Sequence, residues 1–234
     1  MNWKLFQKPD PFDVAVYGLV IAFLVAVVYF LQLRAMLNSN DINRESLQSV
    51  QRAFIAYRGM EKRRGKQGDV MLWEFSPTYE NSGTTPALAA VSVFSYGEGG
   101  GILPEEEFRE GRLGVGKLPV STVAPKATQP AERQLLQESY VFGSPLGDDL
   151  GNFPDVHPKS NLYFWGWMTY RDVFRGTKTH LTEFCRHMGP PQMVRVPPQN
   201  AIRFNYEVCA QHNCTDENCP DYAEVVAFSE SRQK

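Results

Sequence analysis

The most regular pattern along the chain is an unbroken apolar run near its N-terminus. Residues Val14 to Leu33 read VAVYGLVIAFLVAVVYFLQL, and charged side chains stand at its two borders, Asp13 and Arg34. A helix rises about 1.5 Å per residue, so this run spans roughly 30 Å, the thickness of a bilayer's hydrocarbon core. The pattern therefore predicts a transmembrane helix over residues 14–33, an N-terminal flank over residues 1–13, and the lipid bilayer as a partner.

Three other interpretations of this run fit less well. A cleaved signal peptide has a shorter apolar core followed by a small-x-small site, and the exit Gln32-Leu33-Arg34-Ala35-Met36 lacks such a site. A core helix of this length usually keeps a polar face, and a helix on the membrane surface needs a charged one. The run has neither face, so we expect it to cross the membrane once.

Residues 34–52 are predicted to form a stalk or linker. Apolar side chains recur at helical spacing as far as Tyr57. Two interpretations remain open: the stalk helix runs on toward Tyr57, or it ends near Gln51 and a strand begins at Ala53. We favour the second, which gives a folded domain over residues 53–230.

Within this domain the hydrophobic period changes to two. Such alternation is typical of strands with one buried face, whereas the stretch from Asn161 to Phe174 is apolar on both faces. The turn Asn81-Ser82-Gly83 is predicted to join an antiparallel pair, and residues 161–174 are predicted to form a hairpin with Thr179 to Cys185. The stretches with strand character are 53–57, 71–76, 87–96, 118–123, 161–174, 179–185 and 202–208.

Composition agrees with a mainly β fold. Aromatic residues make up 12% of the chain, and 18 Gly and 16 Pro supply turn formers. Six to eight short strands separated by turn signals predict an immunoglobulin-like antiparallel β-sandwich with long loops. The basic cluster from Glu61 to Gly68 is predicted to be a solvated turn, with anionic lipid contact as the alternative. Charge is balanced, with 24 Lys+Arg and 26 Asp+Glu, so we expect no nucleic-acid partner.

Two motifs stand out in this domain. Asn81 to Ala87 fits an Asn-x-Gly-x-Thr-Pro-Ala turn, and it follows a first strand that opens with Arg52-Ala53-Phe54. Gly166 to Phe174 reads Gly-aromatic-x-x-Tyr-x-Asp-x-Phe and leads to the pair Phe184-Cys185. In pieces, most of residues 50–190 resembles a family of uncharacterised bacterial membrane proteins with an N-terminal span. The resemblance implies this architecture and no assigned activity, and the Cys-rich tail departs from the family.

The four cysteines all lie in the last quarter of the chain. An even, clustered count in an exported domain indicates disulfides, and of three connectivities we favour Cys185–Cys209 with Cys214–Cys219. The alternatives are free thiols or a zinc site built from Cys209, His212, Cys214 and Cys219, although one residue between His212 and Cys214 is tight for tetrahedral ligands. We therefore predict no metal and no cofactor. Basic residues on the two sides of the span nearly balance, so the cysteines favour an extracytoplasmic domain.

The polar residues form no grouping of catalytic type, and no serine lies in a nucleophile elbow. Our leading hypothesis is a non-enzymatic, single-pass protein of the bacterial inner membrane. Its extracytoplasmic domain is expected to act as an interaction or accessory module for an unidentified protein partner or membrane complex. One alternative is a membrane-anchored hydrolase that uses His180 and Asp172 beside the aromatic strand. A second is a zinc-binding or redox-sensing domain that uses the C-terminal cysteines.

Overall fold

The computed structural model describes residues 11–99, 118–143, 162–189, 191–196 and 199–233. The chain divides into two compact units, Met1–Val50 and Gln51–Lys234. The first unit contains the apolar run, and the second contains the strands.

Helix α1 (Pro11–Gln51) continues well past the apolar run. Its 41 residues correspond to a length of roughly 60 Å. Many of its large apolar side chains are exposed, including Phe23 at 67% and Leu24 at 56%. Among the described residues, it is the one helix long and apolar enough to cross a membrane. Because α1 ends at Gln51 and a strand starts at Ile55, the favoured interpretation of the stalk is confirmed.

The first antiparallel sheet has β2 between β1 on one side and two short strands on the other. The predicted turn at Glu61 to Gly68 is wrong, because β1 runs on to Gln67 and pairs with β2 as far as Val70. Arg64 in this stretch donates two hydrogen bonds to the carboxylate of Glu138, which is buried. The strands are β1 (Ile55–Gln67), β2 (Val70–Asn81), β5 (Thr128–Pro130) and β6 (Gln134–Gln137).

The second antiparallel sheet has the order β11-β8-β7-β3-β4. The predicted hairpin of β7 and β8 is confirmed, with Trp165 opposite Cys185 and Tyr170 opposite His180. The predicted pairing across the Asn81 turn is wrong, because β2 and β3 belong to different sheets. The strands are β3 (Ala87–Glu98), β4 (Ser121–Val123), β7 (Leu162–Arg171), β8 (His180–Met188) and β11 (Tyr206–Val208).

The prediction of one strand over residues 202–208 is also wrong. β10 (Gln199–Arg203) pairs with β9 (Gln192–Val196) in a separate two-stranded sheet. The chain then breaks at Phe204 and Asn205 before β11 pairs with β8. Phe204 is 4% exposed and contacts Trp73 and Phe75 in the core. The predicted strand is divided because its two parts pair with different strands.

The two large sheets share one hydrophobic core. Phe75 and Tyr79 of the first sheet pack with Phe164 and Phe184 of the second, and all four side chains are buried. A short helix, α2 (Glu138–Phe142), adds Phe142 to the same core. The prediction of a mainly β fold with antiparallel sheets behind an N-terminal apolar helix is confirmed. The strand order does not confirm the immunoglobulin-like arrangement.

A C-terminal helix, α3 (Tyr222–Arg232), covers the other face of the second sheet. Val225 of α3 belongs to a cluster with Trp167 of β7 and Leu181 of β8. The hydroxyls of Thr169 and Ser229 lie 2.6 Å apart and are buried. β7 is therefore buried on both faces, as its apolar sequence predicts.

Candidate functional site

The residues of the two motifs converge on the segment that leads into β1. Asn81 Oδ1 accepts hydrogen bonds from the backbone N–H groups of Phe54 at 3.1 Å and Gly83 at 3.0 Å. Asn81 Nδ2 donates to the carbonyls of Thr85 at 2.8 Å and Val123 at 3.2 Å. Because Asn81 is fully buried, these bonds satisfy its amide and fix the start of β1 beside the turn.

Three side chains that lie on the second sheet or directly after one of its strands hold the same segment. Asp172 Oδ1 accepts the N–H of Ala53 at 3.0 Å, and the Tyr170 hydroxyl accepts the N–H of Ile55 at 3.3 Å. The Thr182 hydroxyl donates to the carbonyl of Ile55 at 2.7 Å. Burial raises the pKa of Tyr170 to about 12, so this hydroxyl keeps its proton at neutral pH.

A buried histidine lies between two carboxylates close to this segment. His180 Nε2 is 2.8 Å from Asp172 Oδ2, and His180 Nδ1 is 3.0 Å from Asp216 Oδ2. Asp216 Oδ1 also accepts the N–H of Leu181 at 3.0 Å, and the ring of Tyr170 stacks on the imidazole with centroids 5.1 Å apart. The side chains of His180 and Asp172 are 4% and 2% exposed. We call Asp172, His180 and Asp216 the His180 clasp.

The clasp favours the cationic form of its histidine. Burial acts to lower the pKa of His180, but the hydrogen bonds and negative charges of Asp216 and Asp172 outweigh it and hold the pKa above 6.5. Burial acts to raise the pKa of Asp216, but the hydrogen bond from His180 and the charge of Lys178 hold it below 3.8. Lys178 Nζ lies 3.8 Å from Asp216. The clasp is thus an ion network that joins the residue after β7, strand β8 and the C-terminal tail, by which we mean residues 209–221.

This geometry bears on the hydrolase alternative. The structure brings His180 and Asp172 together, as that alternative requires. A general base also needs a ring nitrogen that can accept a proton from a reacting group. Both ring nitrogens of His180 face carboxylates, and the imidazole is buried. Within the described residues the clasp therefore acts as a structural tie, and it does not support hydrolysis.

One disulfide ties the C-terminal tail to β8, and a second closes a loop within the tail. Cys185 bonds to Cys209 with their Cα atoms 5.4 Å apart, and Cys214 bonds to Cys219 with their Cα atoms 5.2 Å apart. This is the favoured pairing. Between the two disulfides the tail bulges outward, and the side chain of Asn213 accepts the N–H of Cys185 at 3.2 Å and donates to the Cys209 carbonyl at 2.9 Å.

The four ligands of the zinc alternative do not come together as one set, because Cys209 is bonded to Cys185. Glu183, which the zinc alternative did not include, lies close to the remaining two cysteines. Ligand atoms of Glu183, Cys214 and Cys219 lie within 4.8 Å of one another. Glu183 Oε2 also lies 3.5 Å from Nδ1 of His212. While Cys214 and Cys219 are joined, their sulfur atoms are not the thiolates that zinc binds.

An open groove of about 510 Å³ lies between the start of β1 and the tail. The ring of Tyr57 stacks on Phe184 with centroids 4.2 Å apart, and the guanidinium of Arg186 lies 4.6 Å from the Tyr57 ring centroid. Burial raises the pKa of Tyr57 to about 12, although the charge of Arg186 acts to lower it. Cys214 and Asn213 line the groove on the tail side. We call this site the β1–tail groove.

No protein-family model, no curated protein and no solved structure matches this chain. The family resemblance of the two motifs therefore stays a prediction. Reasoning from the sequence missed Glu183, Asp216, Tyr57 and Arg186 as site residues. One signal was present: Glu183 lies inside the strand-like stretch HLTEFC, where a charged side chain requires a buried partner.

Proposed function

We propose that this protein is a single-pass protein of the bacterial inner membrane, whose extracytoplasmic domain is a non-enzymatic interaction or accessory module. The exposed apolar surface of α1 supports the anchor, because lipid is the environment in which such a surface is stable. The two disulfides support the extracytoplasmic side, because disulfides persist in oxidising compartments.

The β1–tail groove is the observation that carries the interaction role. Tyr and Arg are among the residues that contribute most to protein interfaces, and here Arg186 lies over the ring of Tyr57. Strands β1 and β8 and the loop closed by the Cys214–Cys219 disulfide line the groove, so binding requires little ordering of the chain. The occupant that fits is a protein segment that lays an acidic or aromatic side chain against Arg186. An anchored domain meets such a partner most readily within the same membrane.

Photo-crosslinking from the groove tests the interaction role. We would replace Tyr57 with a photoreactive phenylalanine analogue in the full chain and irradiate intact membranes. The expected result is one dominant crosslinked partner. The matched control places the same analogue at Leu135, a 52% exposed side chain on β6. Identical crosslinking from both positions, or none from Tyr57, would contradict a binding role for the groove.

A separate measurement tests the side of the membrane. Protease added outside intact spheroplasts should digest the domain of the full chain, while a cytoplasmic marker protein stays whole. If the domain is digested only after lysis, the extracytoplasmic orientation is wrong. The crosslinking result would be unaffected, because the two experiments test different parts of the proposal.

A further inference from the structure

We propose that the Cys214–Cys219 disulfide is a thiol–disulfide exchange site, that its substrate is the dithiol of a partner protein, and that Glu183 is its proton relay. The carboxylate Oε2 of Glu183 lies 3.4 Å from Cys214 Sγ, and the side chain of Glu183 is fully buried. A carboxylate at this distance can accept a proton from a thiol or return one to a departing thiolate. The other disulfide packs against the aromatic rings of Tyr163 and Trp165 instead.

The two sulfur atoms of this disulfide differ in access. Cys214 is partly exposed and lines the β1–tail groove, whereas Cys219 is 2% exposed in a cluster with Trp167 and Leu181. An incoming thiolate from the groove therefore reaches Cys214 first, and Cys219 is the leaving group. This asymmetry gives the exchange one direction of attack.

The exchange balances with a dithiol as the reductant. The carboxylate of Glu183 takes the proton of a partner thiol, and the resulting thiolate attacks Cys214 Sγ. The bond between Cys214 and Cys219 breaks, and Cys219 leaves with the electron pair and takes a proton from water. The second thiolate of the partner then attacks the partner sulfur atom that is bonded to Cys214 in the mixed disulfide. Cys214 leaves with the electron pair and receives that proton from Glu183, which is again a carboxylate. The partner becomes a disulfide, the domain becomes a dithiol, and two electrons have moved.

The inference shares the groove with the proposed function but does not depend on it. A small dithiol reports the exchange without any partner and on either side of a membrane. A failed exchange experiment therefore leaves the interaction role intact. Likewise, a failed crosslinking experiment leaves the exchange proposal intact, because the rates of disulfide reduction test it separately.

The test follows both disulfides in the full chain in detergent micelles. We would add dithiothreitol at pH 7, quench with an alkylating reagent and measure the labelling of each cysteine by mass spectrometry. Cys214 and Cys219 should be reduced at least about tenfold faster than Cys185 and Cys209. Glu183→Gln should slow the first pair about tenfold and leave the second unchanged, since a positioned proton donor typically contributes tenfold or more. Equal rates for the two disulfides, or no effect of Glu183→Gln, would overturn the proposal.

Two further variants keep the proposal testable if Glu183→Gln misfolds. Cys219→Ser leaves Cys214 as a single thiol, and Cys214→Ser leaves Cys219. With oxidised glutathione, the thiol of Cys214 should form a mixed disulfide at least about tenfold faster than that of Cys219, by the difference in access. Equal rates would refute the direction of attack. One zinc bound per reduced chain, lost in Glu183→Gln, would assign these residues to a metal site instead. Glu207→Gln, whose side chain is 76% exposed, is the matched control.

Discussion

Replacing the histidine of the His180 clasp should destabilise the domain strongly. In His180→Asn the side chain loses its positive charge, and the carboxylates of Asp172 and Asp216 lose the cation between them. Removing one partner from a buried ion network costs roughly 3–5 kcal/mol. We expect the lower end, about 3 kcal/mol, because Asp216 is 18% exposed and keeps Lys178 at 3.8 Å. This is a large part of the roughly 5–15 kcal/mol by which domains are stable.

Urea unfolding of the full chain in detergent micelles, followed by tryptophan fluorescence, measures this loss. With an m value of about 2 kcal/mol/M, a loss of about 3 kcal/mol lowers the midpoint by about 1.5 M. The control is His187→Asn on the same strand, since His187 is 24% exposed and lies 3.7 Å from a largely exposed Glu207. That variant should change stability by no more than about 0.5 kcal/mol. Equal losses in the two variants would refute the role of the clasp.

The pH dependence separates a charged clasp from a neutral one. The pKa of His180 is raised, so the folded domain holds a proton that the unfolded chain releases above 6.5. The stabilisation is therefore complete below pH 6.5 and is lost as the pH rises through the raised pKa of His180. The pKa of Asp216 is lowered, so its contribution is present above pH 3.8 and is lost as the pH falls through its lowered pKa. A constant difference between wild type and His180→Asn from pH 5 to 9 would show that folding does not raise the pKa of His180.

Two pairs of substitutions test how the domain is held together, and each is measured by the free energy of unfolding. Asn81→Ala removes the four hydrogen bonds of a fully buried side chain and should cost about 3 kcal/mol. Asn213→Ala also removes four, but at an exposed residue, and should cost about 1 kcal/mol; equal costs would contradict burial as the cause. Gly166→Ala places a Cβ 2.4 Å from the Val93 carbonyl oxygen and should cost about 3 kcal/mol, whereas Gly65→Ala meets no atom within 4 Å and should change stability by less than about 0.5 kcal/mol.

The parts of the fold that the sequence predicted are those with local causes. The apolar run predicts a helix because length and absence of charge are enough. β7 is predicted to be buried on both faces because each face is apolar, even though the covering helix α3 lies more than 50 residues later in the chain. The even, clustered count of cysteines favoured disulfides, and the structure has the pairing that we preferred among the three connectivities.

The parts that were wrong depend on distant contacts. Asn and Gly at positions 81 and 83 predict a turn, but a turn does not specify which sheet the next strand joins. Here the turn carries the chain from the first sheet to the second, because Asn81 bonds to Phe54 and to Val123, 27 and 42 residues away. The charged part of β1 was predicted to be a turn because the buried carboxylate of Glu138, 74 residues from Arg64, is not visible locally.

The residues of the candidate site could not be grouped from the sequence, because they too are brought together by contacts between distant parts of the chain. Glu183 and Cys214 are 31 residues apart, and His180 and Asp216 are 36 apart. The hydrolase alternative named His180 and Asp172, which are 8 residues apart, but it did not include Asp216. That second carboxylate decides the chemistry, because it occupies the nitrogen that a general base would need.

The long-range contacts of the C-terminal tail hold in place a segment that has little hydrophobic core of its own. Between Cys209 and Asp221, the cysteine side chain of Cys219 is the one buried hydrophobic residue, so this stretch has little apolar area to hold it in place. The Cys214–Cys219 disulfide closes the loop that contains Asp216, and the His180 clasp holds that loop to β8 in place of the missing apolar area. The main core lies between the sheets and includes neither cysteine. Reduction of Cys214–Cys219 is therefore expected to loosen the tail beside the β1–tail groove while the sheets stay folded, which is the property that a reversible exchange site requires.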